Sequence, residues 1–381
     1  MEYYKLNDIL LEMHSGGTPS TEKKEYWNGT IKWLSSGETS QNFIYDTIDK
    51  ITEEGVKNSS TKLANKNDVV MACAGQGKTR GQVSYLLDDM YINQSVIALK
   101  ANPKKVNSLY LYYNLSSRYD ELRGGSDFSS TRGSITTATL KKLNIQLPPL
   151  PTQQKIAGIL SKYDEAIENN NKRIKLLEQM AQNLYKEWFV RFRFPGWQNA
   201  EFENGIPKGW KVEKLGNLFE RLPFGRTYKK EDLEKEGSVI VIDQSTDDYL
   251  GFHNDEPAYK ANFESPMILF GDHTCKFVLM TRDFSLGENI IPIKPRNCNP
   301  YYLFRSIDGI IKTTEYKRHW SILITQKIFI PSENLQNKFG EVYRSFIKQI
   351  ENLTQQTQNL SRQRDLLLPR LMSGKLQVFR K

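Results

Sequence analysis

The chain has 381 residues, 38% hydrophobic and 11% aromatic, a composition that excludes a disordered chain and favours two or three domains with several small cores. Lys and Arg total 53 against 44 Asp and Glu, and the net charge of +9 favours a polyanionic partner such as nucleic acid. The three cysteines are scattered, which is typical of a protein in a reducing compartment. The N-terminus does not resemble a signal peptide, and no apolar run reaches the ~20 residues of a membrane span. We therefore expect a cytoplasmic protein with no membrane partner.

The first predicted domain contains a segment that fits a relaxed nucleotide-binding P-loop. Residues 72–79 read ACAGQGKT, with Ala72 in place of the first glycine. A P-loop is followed at once by a helix, whereas Gly81 and the alternating residues after it favour a strand. We therefore expect a strand–turn–strand whose tip presents Gln76, Lys78, Thr79 and Arg80. A P-loop enzyme with coiled-coil arms is the alternative.

The sequence contains two similar proline-containing segments, and each is followed by a long amphipathic helix. The apolar positions of the two helices recur in the same register. Residues 145–156 align without a gap with residues 328–339, and apolar residues then recur in steps of three and four. Asn170 interrupts the first stripe and is interpreted as fixing the register, while Thr357 and Arg364 interrupt the second. At ~40 residues each, the helices would be about 60 Å long and would need each other to cover their stripes. The stripes comprise Leu160, Tyr163, Ile167, Ile174, Leu177, Ala181, Leu184 and Trp188, and Phe339, Tyr343, Phe346, Ile350, Leu353, Leu360, Leu367 and Leu371.

The front halves of the two repeats also correspond, since residues 5–9 align with residues 214–218. The predicted order is a first domain, a first helix, a linker, a second domain, and a second helix with a tail, over residues 1–150, 151–194, 195–209, 210–331 and 332–381. Because the linker is short, the second helix most simply returns antiparallel. The sequence therefore predicts an α+β protein in which two α/β domains are separated by two long helices packed as an antiparallel coiled coil.

No spacing of residues indicates catalysis. Residues 299–302 read NPYY and are similar to a motif of amino-methyltransferases, but no glycine-rich cofactor loop precedes them. We interpret them as a turn that opens a helix from Pro300 to Ile311. The carboxylates, cysteines and histidines show no spacing typical of a nucleophile with its base or of a metal site. We expect a chain that is not itself an enzyme and holds neither a cofactor nor a metal.

Basic and polar residues on glycine-rich loops of both predicted domains are candidates for DNA contacts. Arg and Lys pair with phosphates, Arg reads guanine in the major groove, and glutamine amides have the geometry to read adenine. A scaffold that only dimerises is a further alternative, and it predicts no preference for DNA. The candidates are Lys23, Lys24, Gln76, Lys78, Thr79, Arg80, Gln82, Arg123 and Arg132 in the first domain, and Arg226, Lys229, Lys276, Arg282 and Arg318 in the second.

Seven short segments have the pattern of one known protein family: residues 15–20 (SGGTPS), 26–29 (YWNG), 143–150 (LNIQLPPL), 153–156 (QQKI), 188–195 (WFVRFRFP), 206–210 (IPKGW) and 214–216 (KLG). On these segments the sequence resembles, over essentially its whole length, the specificity subunits of type I restriction–modification systems. The second domain departs from the family's pattern, because residues 222–227 read LPFGRT where the first domain has GGTPS, and because Ser332 and Asn337 replace Pro149 and Gln154.

The resemblance implies a non-catalytic subunit that reads double-stranded DNA. Each target-recognition domain would read one half of a bipartite site, and the helices would set the gap between the halves. Two methyltransferase subunits that use S-adenosylmethionine would dock along the helices and methylate adenine at N6. Restriction subunits that use ATP and Mg²⁺ would add translocation and cleavage.

Overall fold

A computed structural model describes residues 2–75, 77–127, 133–313 and 317–378. The chain forms two compact units. The first combines residues 1–168 with residues 357–381, and the second comprises residues 169–356. Each unit therefore contains part of both long helices.

The first unit consists of short strands and short helices followed by the start of a long helix. Its strands are β1 (Glu2–Lys5), β2 (Leu10–Ser15), β3 (Trp27–Leu34), β4 (Phe43–Ile44), β5 (Lys50–Ile51), β6 (Lys62–Ala64), β7 (Val69–Ala72), β8 (Val83–Leu86), β9 (Met90–Ile92), β10 (Val96–Ala101) and β11 (Asn144–Leu147). Its helices are α1 (Glu53–Lys57), α2 (Ser108–Ser116), α3 (Tyr119–Asp127), α4 (Thr137–Lys141) and the first part of α5 (Leu150–Tyr185).

Strand β7 lies at the centre of the first unit and is buried on both faces. It belongs to a five-stranded sheet of order β2-β10-β7-β8-β4, next to a four-stranded sheet of order β5-β3-β9-β6. Val69 and Met71 pack in one apolar cluster, and Val70 packs in another on the opposite face. This alternation follows from the two-residue period of a strand, and it explains why the segment reads as a continuous apolar run.

The second unit has the same kinds of elements. Its strands are β12 (Phe202–Glu203), β13 (Ile206–Pro207), β14 (Lys211–Lys214), β15 (Phe219–Arg221), β16 (Val239–Ile242), β17 (Gly251–His253), β18 (Met267–Gly271), β19 (Phe277–Met280), β20 (Phe284–Leu286), β21 (Ile290–Pro295) and β22 (Lys327–Ile330). Its helices are α6 (Pro300–Ile307), α7 (Trp320–Leu323), the end of α5 and the start of α8 (Glu333–Met372), and Lys186–Val190 extends α5 as a π-helical turn.

The second unit repeats the strand order of the first. The sheet order β15-β21-β18-β19 matches β2-β10-β7-β8, and the parallel pair β16–β20 matches the parallel pair β3–β9. In β18, Ile268 and Phe270 face one apolar cluster while Leu269 faces the other, as in β7. The duplication seen in the sequence is therefore a duplication of topology.

Within each unit the two long helices run antiparallel. In the first unit, Ile156 and Leu160 near the start of α5 share a cluster with Leu371 near the end of α8. In the second unit, Ala181 near the end of α5 shares a cluster with Phe339 near the start of α8. All residues of the two predicted stripes are buried or half-buried, which confirms the two amphipathic helices and the α+β fold.

Arg364, one of the two residues predicted to interrupt the second stripe, forms an ion pair with Asp164 of the other long helix. The Arg364 guanidinium donates to the Asp164 carboxylate at 2.5 Å, and the Tyr113 hydroxyl donates to the other oxygen of Asp164 at 2.5 Å. Asp164 is 5% exposed. Burial, followed by the charge of Asp164, raises the pKa of Tyr113, so the phenol remains a donor. Asn170, which interrupts the first stripe, is buried as well.

A buried glutamine ties the start of each long helix to its own unit. Gln153 accepts a hydrogen bond from the Asn107 backbone N–H at 2.9 Å and donates to the Pro148 carbonyl at 2.9 Å. Gln336 makes the same two bonds, to Asn299 at 3.0 Å and to Pro331 at 2.9 Å. The side chains of Asn107 and Asn299 cap the N-termini of α2 and α6, so each glutamine joins the start of a long helix to the start of a short one.

Two segments differ from what the sequence predicted. The predicted linker contains a hairpin of β12 and β13, with Asn204 and Gly205 at φ values of 52° and 77° in the turn. Asn-Gly favours such a turn because both residues tolerate positive φ. Helix α6 ends at Ile307, four residues before the predicted Ile311 and shortly before Gly309 at a φ of 78°.

Replacing Gln153 should destabilise the protein because the Asn107 N–H would lose its acceptor inside the core. We expect Gln153→Ala to lower the free energy of unfolding by about 1–3 kcal/mol. Gln154→Ala is the matched control, since Gln154 is the exposed neighbour on the same helix. Equal unfolding midpoints in urea for the two variants would contradict this role.

Candidate nucleic-acid interface

The P-loop-like segment is the tip of a hairpin. Strands β7 and β8 pair antiparallel, and the Ala72 N–H donates to the Gln82 carbonyl at 2.9 Å. Strand β8 begins at Val83, so a strand and not a helix follows Lys78 and Thr79. The prediction of a strand–turn–strand is confirmed, and the P-loop alternative lacks the helix that it needs. Gln76 lies outside the described residues.

Side chains from α3 and a backbone carbonyl from the segment before α4 hold this tip in place. The Tyr119 hydroxyl donates to the Lys78 carbonyl at 2.8 Å and accepts from the Arg123 guanidinium at 2.8 Å. Arg80 is buried and donates to the Gly133 carbonyl at 2.6 Å. Gly133 has a φ of +46°, and a Cβ there would lie 2.1 Å from the Arg80 guanidinium. These contacts favour a structural role for Arg80. Arg132 lies outside the described residues.

A cleft of about 340 Å³ opens beside the tip. The Gln82 amide oxygen is buried and has no hydrogen-bond partner among the described residues. The Lys78 side chain is exposed. The cleft is lined by Thr39, Ser40, Asn42, Lys78, Gly81, Gln82, Val83, Ser116 and Tyr119.

Lys23 and Lys24 lie on a different surface segment, in the 3₁₀ turn before β3. Both side chains are exposed. The Lys23 ammonium donates to the Tyr26 hydroxyl at 3.0 Å and lies 5.1 Å from the centroid of that ring. Among the described residues, no hydrogen bond or ion pair joins either lysine to the hairpin tip.

In the second unit, Lys276 occupies the turn of the equivalent hairpin. The Gly271 N–H donates to the Lys276 carbonyl at 2.8 Å, and β19 begins at the next residue. The Lys276 ammonium donates to the Ser245 carbonyl at 2.9 Å and also to the Asp247 carbonyl. Burial lowers the pKa of Lys276, against the opposing charge of Asp243.

Asp272, the first residue of this turn, organises the segment that precedes α7. Its carboxylate accepts hydrogen bonds from the backbone N–H groups of His319 at 3.0 Å and Trp320 at 2.9 Å. Arg318 is exposed, and its guanidinium lies 3.9 Å from the same carboxylate. Asp272 therefore places Arg318 beside the hairpin whose turn also contains Lys276.

The same backbone hydrogen bond holds the tip in both units. In the first unit the Ile135 N–H donates to the Cys73 carbonyl, and in the second the His319 N–H donates to the Asp272 carbonyl, both at 2.8 Å. Each bond joins the residue after the first hairpin strand to the segment before a short helix. Sequence reasoning missed this tie because the loops differ in sequence and length.

The remaining candidates of the second unit lie on its surface. The Arg226 guanidinium is 3.4 Å from the Asp255 carboxylate and 4.6 Å from the centroid of Tyr228. Lys229 and Arg282 are exposed. Sequence reasoning missed an aromatic cluster in this unit, in which Arg221 lies over Trp320 and the exposed Phe224.

Residues 299–302, which are similar to a methyltransferase motif, lie at the start of α6. Asn299 caps α6 by accepting from the Tyr301 and Tyr302 N–H groups, as expected for a turn that opens a helix. No cluster of three His, Cys, Asp or Glu residues that could hold a metal occurs among the described residues. None of the described helices is both long enough and apolar enough to cross a membrane.

Comparison with known proteins identifies the family. Residues 1–179 match the sequence model of the type I restriction modification DNA specificity domain. The specificity subunit of the type I restriction enzyme MjaIX from Methanocaldococcus jannaschii is 30% identical over 423 aligned positions, which cover 98% of this chain and 93% of that protein. The chain belongs to the type I restriction enzyme specificity subunits.

Two further comparisons concern a second specificity subunit and a solved structure. The EcoR124I/EcoR124II specificity subunit of Escherichia coli is 29% identical over 51% of this chain and 49% of that protein. The crystal structure of the type I restriction–modification S subunit from M. genitalium matches 97% of this chain and 95% of that chain, with a TM-score of 0.67 and 18% identity. At that identity the likeness concerns the fold.

Removing the Asp272 carboxylate should loosen the tip of the second hairpin in this specificity subunit. Asp272→Ala leaves the Trp320 N–H without an acceptor, whereas the His319 N–H keeps the backbone carbonyl of residue 272 and loses only the carboxylate. We expect a loss of about 1–3 kcal/mol in the free energy of unfolding. Asp272→Asn retains one carbonyl oxygen and is expected to lose less. Thermal unfolding of both variants is the measurement, and an equal loss in the two would show that the charge matters rather than the acceptor.

Proposed function

We propose that this specificity subunit binds double-stranded DNA and that each unit reads one half of a bipartite sequence. The observation that carries the proposal is the repeated hairpin, held by the same backbone bond in both units, with different polar residues at its turn. Two units that share the same strand topology but differ in the residues at the hairpin turn are suited to recognising two different half-sites. The net charge of +9 favours attraction to the DNA phosphates.

We further propose that helices α5 and α8 set the gap between the half-sites. Helices of this length would reach about 60 Å, between one and two DNA turns of ~34 Å. Two methyltransferase subunits would dock along these helices, and restriction subunits would join them where the system has them. S-adenosylmethionine, ATP and Mg²⁺ would act on those partners, while this chain supplies the sequence choice and no catalysis.

Mapping of methylated adenine in cells tests the proposal. We expect a bipartite motif with a fixed unspecified gap in cells that carry the gene, and we expect that motif to disappear on deletion. Exchanging one unit's hairpin-bearing domain for that of a relative should change one half of the motif. Failure of the purified chain to form a complex with its co-expressed methyltransferase, together with an unchanged methylation pattern, would reject the proposal.

Lys78 is expected to contact a phosphate, because it is exposed at the tip of the first hairpin. Lys78→Ala should weaken binding to all DNA sequences alike and lower the slope of log K against log salt by about 0.9. Lys104→Ala is the control, since Lys104 follows β10 at the opposite end of the sheet from the tip. Binding of the methyltransferase complex across a salt series measures both slopes, and equal slopes would contradict the contact.

A further inference from the structure

Gln82 and Lys276 occupy the same position in the two units. Each residue immediately precedes the second strand of its hairpin. The carbonyl of each accepts from the N–H of the residue that ends the first strand, Ala72 at 2.9 Å and Gly271 at 2.8 Å. The topology therefore presents one equivalent side chain at each hairpin turn.

The two side chains differ in whether their polar atoms already have hydrogen-bond partners within the protein. The Lys276 ammonium donates to two backbone carbonyls of the loop between β16 and β17, so it stabilises that neighbouring loop. The Gln82 amide oxygen is buried and has no partner among the described residues. A buried polar atom without a partner is costly and uncommon in folded proteins. Because Gln82 lines the cleft, a donor that enters the cleft and displaces the atoms covering this oxygen would remove that cost.

The lining of the cleft indicates what kind of donor fits. Lys78 is the one cationic side chain among the lining residues, and the other polar groups there, including those of Ser40 and Asn42, are neutral. An anion would be repelled by the Gln82 oxygen. A base edge with an amino group satisfies it, and the amide N–H₂ can donate to a ring nitrogen in the same plane. Adenine offers both groups in the major groove, whereas guanine offers only acceptors.

We propose that this cleft receives the edge of a base pair in the half-site read by the first unit, and that Gln82 selects adenine there. The inference rests on the proposed function. The tip is suited to this task because Tyr119 binds the Lys78 carbonyl and Arg123 binds Tyr119, so the cleft has a fixed wall. Lys78 at the rim lies where it can pair with a neighbouring phosphate.

The experiment uses the complex with the methyltransferase and sequences the methylated sites of a randomised DNA library. Gln82→Ala should relax one position in one half-site, with a roughly ten- to hundredfold loss of preference for adenine there. Gln82→Glu has the same shape but accepts at both oxygens, so we expect preference to move toward cytosine, whose N4 amino group is a donor. The second half-site should stay unchanged in both variants.

A neighbouring glutamine and the unaltered complex serve as the two controls. Gln41→Ala truncates an exposed glutamine of the loop beside the cleft, one that does not line it, and should leave the motif unchanged. An unchanged motif in both Gln82 variants, or an equal loss of methylation at all sequences, would overturn the role of Gln82. Absence of any bipartite motif with the unaltered complex would instead reject the proposed function.

Discussion

The buried glutamine at the start of each long helix is the constraint on which the architecture depends. Gln153 and Gln336 must satisfy both ends of an amide inside an apolar core, and each does so with a backbone N–H and a proline carbonyl. A slip or rotation of the helix would break both bonds and leave polar groups buried. The glutamine therefore fixes the direction in which each helix leaves its unit, and the apolar stripe continues from that start.

The same frame carries different chemistry at its two hairpin turns. In one unit the turn residue, Lys276, is used to hold a neighbouring loop, and in the other the amide oxygen of the equivalent Gln82 has no partner among the described residues. The residues at the turn differ between the units, whereas the paired strands and the backbone hydrogen bond to the segment before the short helix are the same in both. A protein that recognises two unlike sequences needs this separation between a constant frame and variable contacts.

The sequence predicted the features that depend on local patterns. The two stripes, which begin at Leu160 and at Phe339, follow from helical periodicity, and Gly81 favoured a strand after the P-loop-like residues. The structural role of Gln153 was not predicted, although Gln153 lies three residues before Ile156 and is therefore a polar residue on the apolar stripe. The roles of Arg80 and Arg364 could not be predicted, because their partners Gly133 and Asp164 are distant in sequence.

The clustering of Leu371 and Met372 with the core of the first unit has a consequence for synthesis of the chain on the ribosome. Most of the first unit precedes the second unit in the chain and is therefore made before it, yet the core of the first unit includes side chains from the end of α8. During translation the first unit must wait, with part of its apolar surface uncovered, until the second unit has emerged. The end of α8 thus completes the core of the first unit only after the second unit has been made.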